Sequence, residues 1–142
     1  MRHQVVAYAI IIMRQNNKFL LIQRAENASF APGHYSLIGG SLEPKETFRQ
    51  ALVREVREEI GVTINENDLH FAHTFHRNGV KHELVACVFE CTTWQGEPQN
   101  KEPEKHRELA WFALDDLPEK IIPAHRSVIA LIAKKEFYSE QP

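Results

Sequence analysis

Residues 5–13 read VVAYAIIIM, an uncharged apolar run rich in Val and Ile. Such a run predicts a strand buried on both faces. Gln15, Asn16 and Asn17 break the run, and residues 18–23 resume it, which predicts a hairpin closed at Arg24. Residues 25–34 carry Asn27, Pro32 and Gly33 and read as a loop; residues 35–38 read as a short strand entering Gly39-Gly40. Further on, residues 69–76 alternate as a strand, Asn78-Gly79 signals a hairpin turn, and residues 80–92 form the returning strand. Residues 65–68 and 95–107 have no periodicity and read as loops. Residues 109–114 make another short strand, followed by a turn at Asp115, Asp116, Leu117 and Pro118. A helix is expected over 123–135, with Pro123 in its first turn and Val128, Leu131 and Ile132 inward, and then a frayed tail over 136–142.

The pattern changes period once in the middle of the chain. Over residues 47–60, Phe48, Leu52, Val56 and Ile60 fall on one stripe at about 100° per residue. Thr47 and Gln50 form a capping box at the start, and Gly61 stops the helix. Glu59 falls within the apolar stripe, Glu55 at its edge and Glu58 on the same flank, whereas Gln50 and Arg54 take the opposite side. Glu55 is spaced i,i+3 from Glu58 and i,i+4 from Glu59, so these like charges repel. Partial burial adds a desolvation penalty. Arg54 offsets some of this by bridging to Glu58; a hard cation with oxygen ligands would offset more. The plain alternative is a solvated Glu/Arg helix face. Strands outnumber helices, and the expected class is α+β with a mixed sheet, in one domain spanning 1–142.

Composition narrows the function classes. Net charge is −2 and the pI is near 6.4, which supplies no electrostatic footprint for nucleic acid. No apolar run reaches membrane-spanning length. The start, MRHQVVAYAIIIMRQ, lacks a small-residue cleavage site, so no secretory leader and a cytoplasmic location are expected. Cys87 and Cys91 share one predicted strand and are expected as unbridged core thiols in a reducing compartment. His70, His73 and His76 recur every third residue, a spacing that alternates faces on a strand and does not converge on one metal.

The spacing of Gly40, Glu46 and the run from Arg54 to Val62, REVREEIGV, resembles the signature of the Nudix hydrolases at every defined position of a box spanning 40–62. That resemblance implies an α/β/α sandwich around a mixed sheet, with the box as loop-helix-loop. It further implies hydrolysis of a phosphoanhydride in a nucleoside diphosphate linked to another moiety, with a (d)NTP giving (d)NMP and pyrophosphate as the leading case. A non-nucleotide diphosphate, or a non-catalytic Nudix-fold binding domain, is the alternative. By analogy with MutT-like members, the Gly39 carbonyl, Glu55, Glu58 and Glu59 are expected ligands of Mg²⁺ or Mn²⁺. Glu55 and a loop carboxylate are both candidates for the base. Arg54 would orient the glutamates, with Glu46 pairing to it. A further metal carboxylate is expected from Glu97, Glu102, Glu104 or Glu108, with Glu102 chosen first. Arg24 matches a phosphate-contacting position, and Tyr35 and His125 stand where substrate-reading positions occur. Both depart from the best-known members: many relatives carry Trp at the former, and the MutT-like oxidised-guanine enzymes place a base-reading Asn at the latter. Tyr8, Phe30, Phe75 and His76 are candidates for a stacking wall. The expected partner is a small nucleotide or other diphosphate, with neither nucleic acid nor membrane, acting on a monomer or homodimer.

Overall fold

The first apolar run forms the middle of a mixed sheet. The computed structural model describes residues 2–79 and 82–141, so Val80, the expected start of the returning strand, lies outside the described residues. Strand β1 (Val6–Gln15) and β2 (Lys18–Arg24) make the expected hairpin. Both turn residues, Asn16 and Asn17, have positive φ, the geometry that follows the strands' right-handed twist. Next come β3 (Tyr35–Ser36), β4 (Ile38–Ser41), α1 (Phe48–Ile60), β5 (His70–Asn78), β6 (Glu83–Cys91), β7 (His106–Ala113), α2 (Pro123–Ala133) and β8 (Tyr138–Gln141). The expected strand at 35–38 is thus two short strands, and residues 65–68 hold a 3-10 turn, Glu66–Asp68.

The sheet runs β3-β2-β1-β6-β5-β8, with β4 also paired to β1 and β7 to β2. Strand β1 runs parallel to β6 and β5 parallel to β8; the other pairs are antiparallel. Period-2 alternation divides the core in two. Ala9, Ile11 and Met13 face α1 and pack with Ala51, Leu52, Val56 and Ile60, whereas Ile10 and Ile12 face α2 and pack with Val128 and Ile129. A helix on each face of a mixed sheet is the sandwich expected from the sequence. On α2, Val128 and Ile129 are the fully buried residues, and Leu131 and Ile132 are half-buried.

The C-terminal segment corrects the sequence reading. Residues 138–141 are not a frayed tail but the edge strand β8, in register from Thr74↔Tyr138 to Arg77↔Gln141. The cause is His73, which is wholly buried on β5. Its Nδ1–H donates to the Glu136 carbonyl at 2.7 Å, and its Nε2 accepts from the Ser139 hydroxyl at 2.8 Å. A buried imidazole needs partners at both nitrogens, and the tail supplies them. Among the described residues, no helix is long and apolar enough to cross a membrane. Both cysteines are free thiols, Cys91 buried and Cys87 half-buried.

Candidate active site

Helix α1 begins as its sequence dictates. The Thr47 hydroxyl accepts from the Gln50 N–H and the Gln50 side chain accepts from the Thr47 N–H, which satisfies two otherwise unpaired donors. The helix ends at Gly61, whose positive φ of 72° lets its N–H return to the Arg57 carbonyl. The next free carbonyls, those of Glu59 and Ile60, accept from the backbone N–H groups of Lys101 and Gln99 at 3.0 and 2.9 Å. Unpaired helix-end groups thereby dock the 95–105 loop onto the acidic end of α1.

That docking brings Glu102 to Glu59. Glu59 sits high in its pKa because it is buried, because Glu55 repels it, and because the Glu102 charge adds to that repulsion. Glu55 is raised chiefly by burial as well, against the pull of its hydrogen bonds to Glu59 and Arg54. Two carboxyls so placed cannot both ionise cheaply and hold a proton between them. Glu102 also takes an ion pair from Lys105 at 3.2 Å. Of the other loop carboxylates, Glu97 lines a separate shallow cleft beside Trp94, and Glu108 accepts from the Tyr35 hydroxyl.

Arg54 holds the box loop to the helix. Its Nε and Nη2 bind both oxygens of Glu46 at 2.7 and 3.0 Å, its Nη1 reaches Glu55 at 2.9 Å, and its Nη2 donates to the Ser41 carbonyl at 3.2 Å. The expected bridge to Glu58 is present but long, at 3.4 Å. Helix position puts Arg54 opposite the apolar stripe, yet its side chain is only 20% exposed. The box loop folds back over that side and covers it. Gly40 is needed for a different reason: any Cβ there would collide with the Glu55 carboxylate.

Beside this cluster lies a cavity of about 650 Å³ whose lining includes Gly39, Glu59, Arg24 and His125, within the usual range for small-molecule sites. It forms where β1 leaves β2 and pairs with β4 instead. Arg24 sits over the Phe30 ring and donates through Nε to the Phe30 carbonyl at 2.6 Å, which holds its guanidinium at the rim. His125 accepts the Leu37 backbone N–H on Nδ1 at 3.0 Å. The residue keeps some exposure, but its ring is deep enough for burial to push the pKa down to about 4, aided by the charges of Arg77 and Arg24. The neutral ring therefore carries its proton on Nε2.

Of the predicted site residues, Glu55 and Glu59 are hydrogen-bonded neighbours, Glu102 lies near enough for its charge to act on Glu59, and Gly39 is in the adjoining cavity wall. Glu46 and Arg54 brace them, and Arg24 and His125 line the cavity. Glu58 lies on the solvent side of the flank, 54% exposed. Among the described residues, no three His, Cys, Asp or Glu side chains stand already assembled around a common metal position. Tyr35 is a correction. Pairing of β3 with β2 sends Ser36 to the cavity, while the Tyr35 ring packs edge-on against Phe112 and its hydroxyl turns to Glu108. His76 also leaves the expected stacking wall, bonding to Glu83 at 2.6 Å, whereas Tyr8, Phe30 and Phe75 do line the cavity.

His106 and Arg77 are among the lining residues that the sequence did not single out. His106, 8% exposed, stands opposite Arg24 across a bulge between β2 and β7, and its Nδ1 is buried without a partner. Arg77 reaches the cavity from β5. For His106 the signal was its nearness to Glu102 in the loop; for Arg77 nothing local existed, because it meets the cavity through long-range strand pairing.

Fold and site together define a two-helix mixed-sheet sandwich that sets a repelling acidic pair against an arginine-rimmed cavity. The NUDIX domain family model matches residues 2–132, and the chain belongs to the Nudix hydrolase family, in its MutT-like branch. It is 32% identical over 126 residues to the 8-oxo-dGTP diphosphatase of Escherichia coli K12, covering 87% of this chain and 92% of that one. It is 33% identical over 129 residues to the NAD-capped RNA hydrolase NudC of Stutzerimonas stutzeri, covering 84% of this chain but spanning only 40% of that relative's length. Its backbone matches the crystal structure of a MutT NUDIX hydrolase from Burkholderia pseudomallei with a TM-score of 0.82 at 28% identity, over 90% of this chain and 98% of that one.

Proposed function

We propose that the protein is a divalent-metal-dependent pyrophosphohydrolase acting on a nucleoside diphosphate linked to another moiety, with (d)NTPs giving (d)NMP and pyrophosphate as the leading substrates. The observation that carries this is the Glu55–Glu59 pair, buried at Glu55 and half-buried at Glu59, destabilised by mutual repulsion at the edge of a nucleotide-sized cavity. The donors there fit a hard cation. They are all oxygen, their repulsion is what a cation relieves, and Gly40 keeps open the space in which the Glu55 carboxylate sits.

Gly39, Glu55, Glu58 and Glu59, with Glu102 from the loop, would hold Mg²⁺ or Mn²⁺, which when bound supplies positive charge on phosphate oxygens and eases deprotonation of water. The chain's own residues do the rest. Arg54, clamped by Glu46, fixes the Glu55 carboxylate in place and spreads positive charge over the cluster. Glu55 or Glu102 takes the proton from the attacking water as the phosphorus–oxygen bond to the leaving group breaks. Arg24, held by Phe30, binds a substrate phosphate.

The test is release of pyrophosphate or phosphate from a panel of nucleoside triphosphates, dinucleotides and sugar diphosphates by purified protein with Mg²⁺. Hydrolysis of none of them defeats the proposal. Glu58→Gln is expected to lower kcat by several orders of magnitude with the fold retained; near-normal turnover would remove Glu58 from the metal site.

A further inference from the structure

Strand β7 carries a bulge where it meets the end of β2. Leu109 stands opposite Ile22 and Glu108 opposite Gln23, so regular pairing would set Arg107 opposite Arg24; the register shifts, and His106 stands there instead. Two guanidiniums facing each other would repel. The bulge sends Arg107 outward to Glu26 at 2.7 Å and brings His106 into the cavity wall beside Arg24. Re-aiming a side chain in this way is what bulges do next to active sites.

The backbone on both sides of the pair is tied down. The His106 N–H donates to the Glu102 carbonyl at 3.0 Å, and the His106 carbonyl accepts from the Asn100 side chain at 2.7 Å. The Ala25 N–H, one residue past Arg24, donates to the Lys105 carbonyl at 2.9 Å. Within this frame the His106 Nδ1 is closed off from solvent and has no partner. A sealed lone pair is tolerated more readily than a sealed N–H. A neutral ring therefore keeps its hydrogen on Nε2, and a charged ring has one there in any case. With Nδ1 closed off, Nε2 is the ring's one polar atom able to meet a ligand, and it meets that ligand as a donor.

A guanidinium and an N–H side by side suit an oxyanion. The carboxylate on the same loop, Glu102, already gives one oxygen to Lys105 at 3.2 Å. Opposed residues on antiparallel strands have Cα atoms about 4.5–5.5 Å apart, so both side chains can reach one diphosphate. Resting on the hydrolase reading above, we propose that His106 binds substrate together with Arg24, its Nε2–H and the guanidinium donating to phosphate oxygens of the same diphosphate. Lysine at this position would set a second fixed charge against Arg24; imidazole adds a donor without requiring one.

The experiment compares wild type, His106→Phe and His106→Gln. Phenylalanine fills the ring's volume without a donor, and the glutamine amide can place an N–H where Nε2 stood. With Mg²⁺ and the four dNTPs, His106→Phe should raise KM by about ten- to a hundredfold, the range of a hydrogen bond to a charged group, with kcat little changed. His106→Gln should recover most of that loss. Calorimetric binding of α,β-methylene dNTPs should follow the same order, while binding of Mn²⁺ alone stays equal in all three proteins. In the wild type, the ¹⁵N signal of the His106 Nε2 should shift when the analogue binds; this readout needs no variant to fold. An unmoved KM in His106→Phe, an unmoved ¹⁵N signal, or absence of analogue binding overturns the proposal. So does a matching loss of Mn²⁺ affinity, which would assign the imidazole to Glu102. Turnover with KM indifferent to His106 leaves the hydrolase reading standing without this contact. Analogue binding that depends on His106, with no turnover of any dNTP, upholds the contact while the hydrolase reading falls.

Discussion

At the scale of single residues, the site depends on pairs of positions that constrain each other. Glu55 is held by Arg54, Arg54 by Glu46, and the space for the Glu55 carboxylate exists because residue 40 has no side chain. Gly40→Ala would place a methyl inside contact distance of that carboxylate and force the Glu55 rotamer to change. We expect it to lower kcat by about a hundredfold or more, the scale on which small misplacements at an active centre act, while the melting temperature falls only slightly. Steady-state kinetics with a thermal melt would check this, and a variant with full turnover would show that Glu55 has no fixed position to lose. His106 makes the same point from the other direction. A buried nitrogen left without a partner costs about 1–3 kcal/mol, and it stands beside Arg24 in the wall of the same cavity.

At the scale of elements, α1 was legible in the sequence and β8 was not. The cap, stripe and stop of α1 lie within fifteen consecutive residues from Thr47 to Gly61, and each has a local physical cause. The last strand has none: KKEFYSEQ carries no alternation that marks it as a strand. It is ordered by the unmet polar groups of His73, sixty-six positions before Ser139. Ser139→Ala would leave the buried Nε2 of His73 without its donor and should destabilise the protein by about 1–3 kcal/mol, measured by urea denaturation. A change below roughly 0.5 kcal/mol, the size of an ordinary surface substitution, would mean that the hydroxyl does not hold the strand.

At the scale of the whole molecule, the acidic cluster links pH to stability and, under the proposed function, ties both to a cation. Glu55 and Glu59 both have native pKa values above the ordinary value of 4.5. Above that value the unfolded chain has released protons that the folded protein still holds, so stability falls as pH rises toward the native pKa values. A bound cation takes the place of those protons and removes the loss. Mg²⁺ should therefore raise the melting temperature more at pH 8 than at pH 5, and chelation should reverse the gain. An equal effect at both pH values would separate cation binding from these two carboxyls.

The sequence by itself determined the mixed-sheet class, helix α1 and its acidic flank, because capping, periodicity and i,i+4 spacing are local and act on neighbours in the chain. The Arg54–Glu46 clamp, eight residues apart across the box loop, was implied only by the family resemblance. Only the tertiary structure decided what surrounds them. It turned Tyr35 away to Phe112 and Glu108 through strand alternation, brought Glu102 to Glu59 through the open carbonyls at the end of α1, and carried Arg77 and His106 into the cavity through pairing in the sheet. Glu55, Glu58 and Glu59 sit on one helix and can be read in order. Arg24, Arg77, His106 and His125 come from β2, β5, β7 and α2, and they share a cavity wall only after the chain has closed upon itself.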